Sequence, residues 1–231
     1  MKLVILRRKN AADKPYWATF DYSPGSPSDT VATALTWLNR QSPLTDETGV
    51  SATPIVWQCS CLQQKCGACA MVINNRPMLA CAAVLADLGD VVKVEPLRKF
   101  PVVADLMVDR SILFENLKTI NAWLAEEADF PEKKRLLAYQ ASTCLQCGCC
   151  LEICPNYYAG GSFFGMAAVP IATRLLAAED KAARKEIVAA YKKHVYMGCG
   201  KSMACRDVCP AKLDTQEVLA ASNAMAVWKR R

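Results

Sequence analysis

The feature that most constrains this sequence is the segment STCLQCGCCLEICPN, residues 142–156, which contains five cysteines. The whole chain has 231 residues, thirteen cysteines and a single histidine, His194. An odd cysteine count and an N-terminal stretch, MKLVILRRKN, without a signal-peptide pattern disfavour a secreted disulfide framework. One histidine disfavours Cys2His2 zinc sites and Rieske centres, which need paired imidazoles. Metal sites built from thiolates alone remain.

The formal net charge of +6 does not indicate a nucleic-acid-binding protein. Metal-bound cysteines are deprotonated, and an iron–sulfur cluster with its thiolate ligands carries a charge of about −2. Three such clusters would bring the loaded chain close to neutral, so we interpret the excess of Lys and Arg as compensation. No apolar run reaches the roughly 18 residues that cross a bilayer, so we expect a soluble polypeptide of the cytoplasmic side.

The first cysteine group has the spacing of a plant-type [2Fe–2S] loop. It forms C-x4-C-x2-C followed by a fourth cysteine after eleven more residues, and comprises Cys61, Cys66, Cys69 and Cys81. A tight loop can present three thiolates, and the fourth must return from a neighbouring segment. The stretch INNRP predicts the turn that returns it, with Asn75 suited to a left-handed conformation. A zinc knuckle is the alternative, although it usually has two C-x2-C pairs.

Two later runs have the spacing of bacterial two-cluster ferredoxins. The first has the pattern C-x2-C-x2-C-x3-C-P and comprises Cys144, Cys147, Cys150 and Cys154. The second has the same offsets, with serine at its second position, and comprises Cys199, Ser202, Cys205 and Cys209. In such ferredoxins the fourth cysteine of each run ligates the other cluster, which predicts crossed ligation here.

Crossed ligation predicts a complete four-cysteine site and an incomplete one. The ligands of a [4Fe–4S] cluster would be Cys144, Cys147, Cys150 and Cys209. The ligands of the other cluster would be Cys154, Cys199 and Cys205. Because the hydroxyl of Ser202 is a poor iron ligand beside thiolate, we predict [3Fe–4S] at the second site. A [4Fe–4S] cluster with Ser202 or water on its fourth iron is the alternative.

Two cysteines fall outside all three patterns. We expect Cys59 to be a buried apolar cysteine and Cys149 to pack as a small hydrophobic residue.

Secondary-structure patterns divide the chain into two parts. The segments KLVILRRK, YWATFDYS and DVVKVEPL are predicted strands, and SDTVATALTWLNRQ is a predicted helix capped by Ser28 or Asp29. Strands and one helix around a [2Fe–2S] loop describe a β-grasp ferredoxin fold. The later part is helical, in the segments RSILFENLKTINAWLAEE, GMAAVPIATRLLAAED, KAARKEIVAAYKKHVY and LDTQEVLAASNAMAVWKRR. In the last of these, Asp214 and Glu217 form a capping-box pattern.

The order of a [2Fe–2S] loop, a linker and two Cys-Pro runs resembles the iron–sulfur subunit of succinate dehydrogenase and fumarate reductase. The stretches CGACAMVIN, MLAC and VEPLRKFPVVADLMVD extend the resemblance over nearly the whole chain. It implies an α+β protein with a [2Fe–2S] β-grasp domain at residues 1–101. An all-α helical ferredoxin domain with [4Fe–4S] and [3Fe–4S] would occupy residues 102–231.

The resemblance also implies a function in electron transfer. A partner flavoprotein subunit with FAD would interconvert succinate and fumarate, and electrons would pass through the three clusters to or from a quinone in a membrane anchor subunit. Whether the anchor holds haem b stays open. The chain would lie peripherally on the cytoplasmic face of the membrane. It has no dinucleotide fingerprint or nucleophile motif, so we expect no catalytic residue in it.

Two alternatives to this function remain. The same three-cluster electron-transfer chain could serve a different flavoprotein or a non-quinone acceptor. A zinc-stabilised scaffold is the second alternative. Two departures from the family bear on the first alternative. Leu62-Gln63-Gln64-Lys65 stands where the family usually has Arg-Glu-Gly and an aliphatic residue. Asn156-Tyr157-Tyr158 stands where many quinone-linked members carry paired tryptophans, which some fumarate reductases also lack.

Overall fold

The computed structural model describes residues 1–124, 127, 130–178 and 181–228. It divides into two compact units, Met1–Asp109 and Arg110–Arg231. The first unit contains a mixed β-sheet and the second is helical, so the predicted α+β class is confirmed. The ends of three predicted helices, at 125–126, 179–180 and 229–231, lie outside the described residues.

The strands of the first unit include all three that the sequence predicts. They are β1 (Lys2–Arg7), β2 (Tyr16–Asp21), β3 (Leu44–Thr45), β4 (Ser51–Ala52), β5 (Ala70–Ile73), β6 (Arg76–Leu79), β7 (Val91–Glu95), β8 (Val102–Ala104) and β9 (Met107–Val108). Five of them form a sheet in the order β2-β1-β7-β5-β6, in which β1 is parallel to β7 and antiparallel to β2. The β3–β4 and β8–β9 pairs form separate two-stranded sheets.

Helix α1 (Val31–Leu38) begins beside the segment that carries Cys81. The backbone N–H of Val31 donates to Ala83 O at 2.9 Å, and that of Ala32 donates to Ala80 O at 3.1 Å. The buried face of α1 includes Val31, Leu35 and Leu38, as the sequence spacing predicts. The start of the helix therefore holds the return segment in place.

The N-cap of α1 is Thr30, so the predicted cap at Ser28 or Asp29 is wrong. Thr30 and Thr33 form a reciprocal capping box, each side chain accepting from the backbone N–H of the other residue at 3.2–3.3 Å. Asp29 instead accepts from Tyr22 Oη at 2.9 Å and from the backbone N–H of Gly25 at 2.8 Å. The Asp29 carboxylate is therefore bound within the turn that precedes α1 and does not cap the helix.

A buried ion pair joins β1 to the β8–β9 hairpin. Arg7 Nε lies 2.9 Å from Asp105 Oδ1, with side-chain exposures of 2% and 4%. Arg7 Nη2 also donates to Thr53 O at 2.9 Å, and Asp105 Oδ2 accepts from Val56 N at 2.8 Å. Loss of one partner of such a pair costs about 3–5 kcal/mol. The β8–β9 hairpin therefore belongs to the first compact unit, which ends at Asp109.

The helices of the second unit surround a core centred on α5. They are α2 (Ser111–Thr119), α3 (Glu132–Ser142), α4 (Cys149–Ile153), α5 (Val169–Ala177), α6 (Lys181–Tyr191), α7 (Ala204–Asp207) and α8 (Thr215–Ala226). A 3₁₀ turn, Met166–Ala168, precedes α5, and a π-helical turn, Lys192–Tyr196, follows α6. Helix α5 packs against α3, α6 and α8 and buries Ala172 and Leu176 completely. Asp214 caps α8 as predicted, accepting from two backbone N–H groups.

The short helices α4 and α7 lie inside the two Cys-Pro runs and pack against each other. Leu151 of α4 is fully buried, and Gly165 lies directly against it with φ +67°. A Cβ at Gly165 would overlap the Leu151 side chain, so only glycine permits this approach without displacing that side chain. In the described part of the chain, no helix has both the length and the apolar character to cross a membrane.

Candidate iron–sulfur sites

The β5–β6 hairpin brings together two cysteines of the first group. Cys69 immediately precedes β5 and Cys81 follows β6, and the register pairs Ala70 with Leu79. The backbone N–H of Ala80 donates to Cys69 O at 3.0 Å, and the two sulfurs lie 3.4 Å apart. Both cysteines are buried, and burial raises the pKa of the Cys69 thiol to about 12. The turn has Asn75 at φ +64°, in agreement with the prediction.

The loop before this hairpin directs backbone N–H groups at the sulfur of Cys61. Gln63 N donates to Cys61 Sγ at 3.3 Å. This bond, followed by others from Lys65 and Cys66, lowers the pKa of Cys61 to about 7. A loop that stabilises a thiolate in this way fits a metal-cluster ligand. Cys66 contacts Cys61 and interacts electrostatically with Cys69, so all four predicted thiols lie in one group.

Positive backbone dihedrals shape this loop. Leu62 and Gln64 have φ of +53° and +62°, although neither is glycine. Gln64 stands where the family resemblance places glycine. An L-residue in this region is strained by about 1–2 kcal/mol.

Cys59 is exposed, so the prediction that it is a buried apolar cysteine is wrong. It lies in an irregular segment between the half-buried Gln58 and the exposed Ser60. Loops of this kind run over the surface because their backbone polar groups require water.

The second unit contains a cavity that joins the first Cys-Pro run to the last cysteine of the second. Its walls include Cys144, Cys147, Cys150 and Cys209. The remaining wall is largely apolar and includes Met166, Ala167, Pro170 and Leu213. Burial raises the pKa of Cys144 to about 11 and that of Cys150 well above its usual value, with further increases from the neighbouring thiols.

A second cavity joins the fourth cysteine of the first run to the second run. Its walls include Cys154, Cys199, Cys205 and Ser202. Burial raises the pKa of Cys205, and the charges of Cys154 and Cys199 raise it further. The structure therefore places Cys209 beside the first run and Cys154 beside the second.

Two residues lie at the boundary of these cavities. Met166 lines both of them. Thr215 is 1% exposed and lines the first cavity, while its hydroxyl oxygen lies 3.9 Å from Cys205 Sγ, a cysteine of the second. A short path through protein atoms therefore connects the two cavities.

Several neighbours of the first cavity contact its cysteines without belonging to the predicted ligand set. Cys149 is completely buried, as expected. Its thiol donates a hydrogen bond to the Cys147 sulfur. This hydrogen bond, together with backbone N–H groups and the Arg110 guanidinium, lowers the pKa of Cys147 to about 7. Arg110 Nη1 also donates to Cys147 O at 3.1 Å. Gln146 Nε2 lies 3.3 Å from Cys144 Sγ. The cysteine pattern shows that Cys149 is present, but it predicts none of these contacts.

The donor chemistry of all three groups fits iron–sulfur clusters. Their chemically reactive side chains are cysteine thiols, which as thiolates are the usual ligands of such clusters. Among the residues that the structure describes, no three His, Cys, Asp or Glu side chains form a group suited to a single metal ion. The two cavities of the helical unit instead leave space between cysteines, where the inorganic core of a cluster would lie.

Comparison with protein families identifies both halves of this arrangement. Residues 2–115 match the model of the 2Fe-2S iron-sulfur cluster binding domain. Residues 140–213 match the model of the 4Fe-4S dicluster domain. The two matches occur in the order that the cysteine groups predict.

The succinate dehydrogenase iron-sulfur subunit of Bacillus subtilis is 34% identical over 234 residues, covering 96% of this chain and 91% of that protein. The chain belongs to the succinate dehydrogenase and fumarate reductase iron–sulfur subunit family. The fumarate reductase iron-sulfur subunit of Escherichia coli O6:H1 is 31% identical over 172 residues, covering 71% of this chain and 70% of that protein. Family membership therefore extends to relatives named for both directions of the reaction.

A solved structure shows the same fold as this family member. The match is to a chain of the Mycobacterium smegmatis Sdh1 complex in the apo form, with a TM-score of 0.77 and 23% identity. It covers 99% of this chain and 96% of that one.

We predict that Gln64→Gly stabilises the first cysteine loop. Glycine removes the left-handed strain, about 1–2 kcal/mol, but loses about 0.5–1 kcal/mol more backbone entropy on folding. The net gain should be up to about 1.5 kcal/mol. Anaerobic denaturant titration, followed by the visible absorbance of the [2Fe–2S] cluster, should show a higher midpoint.

Gln63→Gly is the matched control, because φ at Gln63 is not positive and its glycine variant gains no relief. That variant should lower the midpoint. Equal destabilisation by both substitutions would contradict the assignment of strain to Gln64.

Proposed function

We propose that this chain is the electron-transfer subunit of a succinate dehydrogenase or fumarate reductase complex. It would relay electrons between the FAD of a flavoprotein subunit and a quinone held by a membrane anchor. The observation that carries the proposal is a set of three cysteine groups, one in the sheet unit and two in the helical unit, in a chain that matches a family member over 96% of its length. When bound, the clusters would accept and donate single electrons.

The sheet unit would hold the [2Fe–2S] cluster through Cys61, Cys66, Cys69 and Cys81. Two of these thiols are buried at the hairpin, and two lie in a loop with converging N–H groups. The ligands would therefore combine a buried pair at the hairpin with a loop pair in which backbone hydrogen bonds stabilise the Cys61 thiolate. We propose residues 1–101 as the family's ferredoxin-like domain and 102–231 as its helical domain, with residues 102–109 as the linker that stays in the sheet unit.

The helical unit would hold the other two clusters by crossed ligation. The proposed [4Fe–4S] ligands are Cys144, Cys147, Cys150 and Cys209, which line one cavity. The proposed [3Fe–4S] ligands are Cys154, Cys199 and Cys205, which line the other. Ser202 lines that second cavity too, and its weak affinity for iron is the reason that we propose three irons there.

The protein groups around these thiols would tune the clusters rather than perform bond chemistry. Apolar walls exclude water, and N–H donors and the Arg110 guanidinium offset the negative charge that ligation brings. The formal charge of +6 acts in the same direction over the whole chain. We further propose a peripheral location on the cytoplasmic face of the membrane, through the anchor subunit.

A second candidate function is the same electron relay with a different flavoprotein or a non-quinone acceptor. The segment after Cys154-Pro155 favours this candidate, because it has tyrosines where many quinone-linked members of the family carry paired tryptophans. Tyr157 is buried and Tyr158 is 66% exposed. Asn156 Nδ2 donates to Gly198 O at 2.8 Å, so this segment is tied to the second Cys-Pro run.

Purification of the native complex under anaerobic conditions distinguishes the two candidates. We expect co-purification of a flavoprotein and a membrane anchor, with succinate oxidation coupled to quinone reduction or fumarate reduction coupled to quinol oxidation. A complex with three clusters but neither activity would favour the second candidate. A colourless, iron-free protein would contradict both.

Crossed ligation predicts opposite losses in a matched pair of variants. Cys209→Ala should remove the [4Fe–4S] signal and spare the other, because Cys209 would serve the first-run cluster. Cys154→Ala should remove the [3Fe–4S] signal and spare the four-iron one. Low-temperature electron paramagnetic resonance (EPR) and iron analysis of both variants test this. The reverse pattern would show that each run ligates its own cluster.

Replacement of Ser202 by cysteine should supply the missing thiolate. The oxidised wild-type protein should give a near-isotropic [3Fe–4S] EPR signal, and Ser202→Cys should lose it as a four-iron cluster of lower potential forms. Ser202→Ala is the control, since it removes the hydroxyl without adding a ligand, and should keep the three-iron signal. Absence of that signal from the wild type would contradict the proposed cluster type.

A further inference from the structure

The carboxamide of Gln146 is fixed between a cysteine sulfur and a backbone carbonyl. Its Nε2 lies 3.3 Å from Cys144 Sγ and 2.9 Å from Ala167 O. A carbonyl oxygen can only accept a hydrogen bond, so the nitrogen of the carboxamide must face Ala167. The NH2 group has a second hydrogen for the sulfur of Cys144. The two contacts together determine the amide orientation.

The surroundings hold this side chain in place. Gln146 has φ +50°, in the loop between the first two cysteines of the run. Ala167 is 4% exposed and lies in the 3₁₀ turn that leads into α5. Both residues line the cavity of the first Cys-Pro run, whose wall is largely apolar. A hydrogen bond in such a low-dielectric environment is stronger than one in water.

We propose that Gln146 is a positioning residue that raises the reduction potential of the cluster held at Cys144. The inference rests on the proposed function, because it presumes a [4Fe–4S] cluster at this cavity. Reduction adds one electron to the cluster, with no bond broken and no proton transferred. An N–H donor stabilises the more negative, reduced form more than the oxidised form, so it favours reduction.

Hydrogen-bond donors near the other two groups are of different kinds. Cys61 Sγ accepts from the backbone N–H of Gln63, which no side-chain substitution removes. Cys205 Sγ donates to the Thr215 hydroxyl oxygen at 3.9 Å, so this hydroxyl would donate to a thiolate at Cys205 only over a longer distance than that of Gln146. Gln146 therefore provides a side-chain donor that can be removed while the donors at the other two groups stay unchanged.

The test is a redox titration of the whole complex, monitored by EPR, with Gln146→Met. Methionine keeps the unbranched shape and lacks the N–H donors. We expect the equilibrium constant for reduction of this cluster to fall about tenfold, which lowers its midpoint potential by about 59 mV. The other two clusters should keep their potentials. Gln41→Met is the control, because Gln41 is an exposed glutamine of the sheet unit whose amide also donates to a backbone carbonyl, Trp37 O at 3.1 Å, and it should leave all three potentials unchanged.

Two outcomes of the titration would overturn the proposal. One is an unchanged midpoint potential in Gln146→Met with an intact [4Fe–4S] signal. The other is an equal shift of all three clusters, which would indicate a general structural effect.

If the Gln146→Met variant does not assemble the cluster, a second measurement on the wild-type complex tests whether Gln146 donates to it. Pulsed EPR of protein labelled with amide-¹⁵N glutamine should show a ¹⁵N coupling to the reduced four-iron cluster, and its absence would refute the hydrogen bond. Failure of the proposed function is distinguishable. A wild-type complex without a [4Fe–4S] signal would overturn both proposals, whereas normal clusters without succinate or fumarate activity would count against that function and not against the role of Gln146.

Discussion

The helical unit depends on the close approach of two segments that are distant in sequence, 144–154 and 199–209. The short helices α4 and α7 inside them pack together, and each segment contributes one cysteine to the cavity formed mainly by the other. Neither cavity has all its cysteines without the partner segment. Closing the chain between them costs entropy, which the buried core of α5, α6 and α8 helps to offset. Binding of clusters by these cysteines would therefore be coupled to the folding of this unit.

Hydrogen bonding and burial act in opposite directions on the thiolate forms of the cysteines, and each unit contains both effects. In the sheet unit, Cys61 lies in an accessible loop, and backbone N–H groups around its sulfur lower its pKa to about 7. In the helical unit, burial raises the pKa of Cys144 and Cys150, so the free thiols are favoured until metal replaces the proton. There, side-chain donors such as Gln146 supply the polar contacts that the apolar walls lack. Apolar surroundings and individual donors are the structural means by which an iron–sulfur protein adjusts reduction potentials.

Cysteine spacing predicted much of this arrangement because the ligand pattern of an iron–sulfur loop is local. The predicted strands, the turn at Asn75 and the cap at Asp214 agree with the structure, since each depends on neighbouring residues. The predicted cap of α1 failed because Asp29 has a stronger set of partners in Tyr22 and Gly25, one of them brought close only by folding. The predicted burial of Cys59 failed because the segment before the loop lies at the surface, which its apolar character does not reveal.

By itself, the sequence determined the α+β class, the family and the grouping of cysteines into three sets. These follow from residue spacing and from a ligand-exchange rule that refers to positions along the chain. Only the tertiary structure decided that Arg7 and Asp105 tie the β8–β9 hairpin to the first unit and that Gln146 contacts Cys144. Such contacts depend on the direction of one side chain relative to a surface built from several segments. No periodicity or motif encodes that direction, because it is set by the packing of the folded chain.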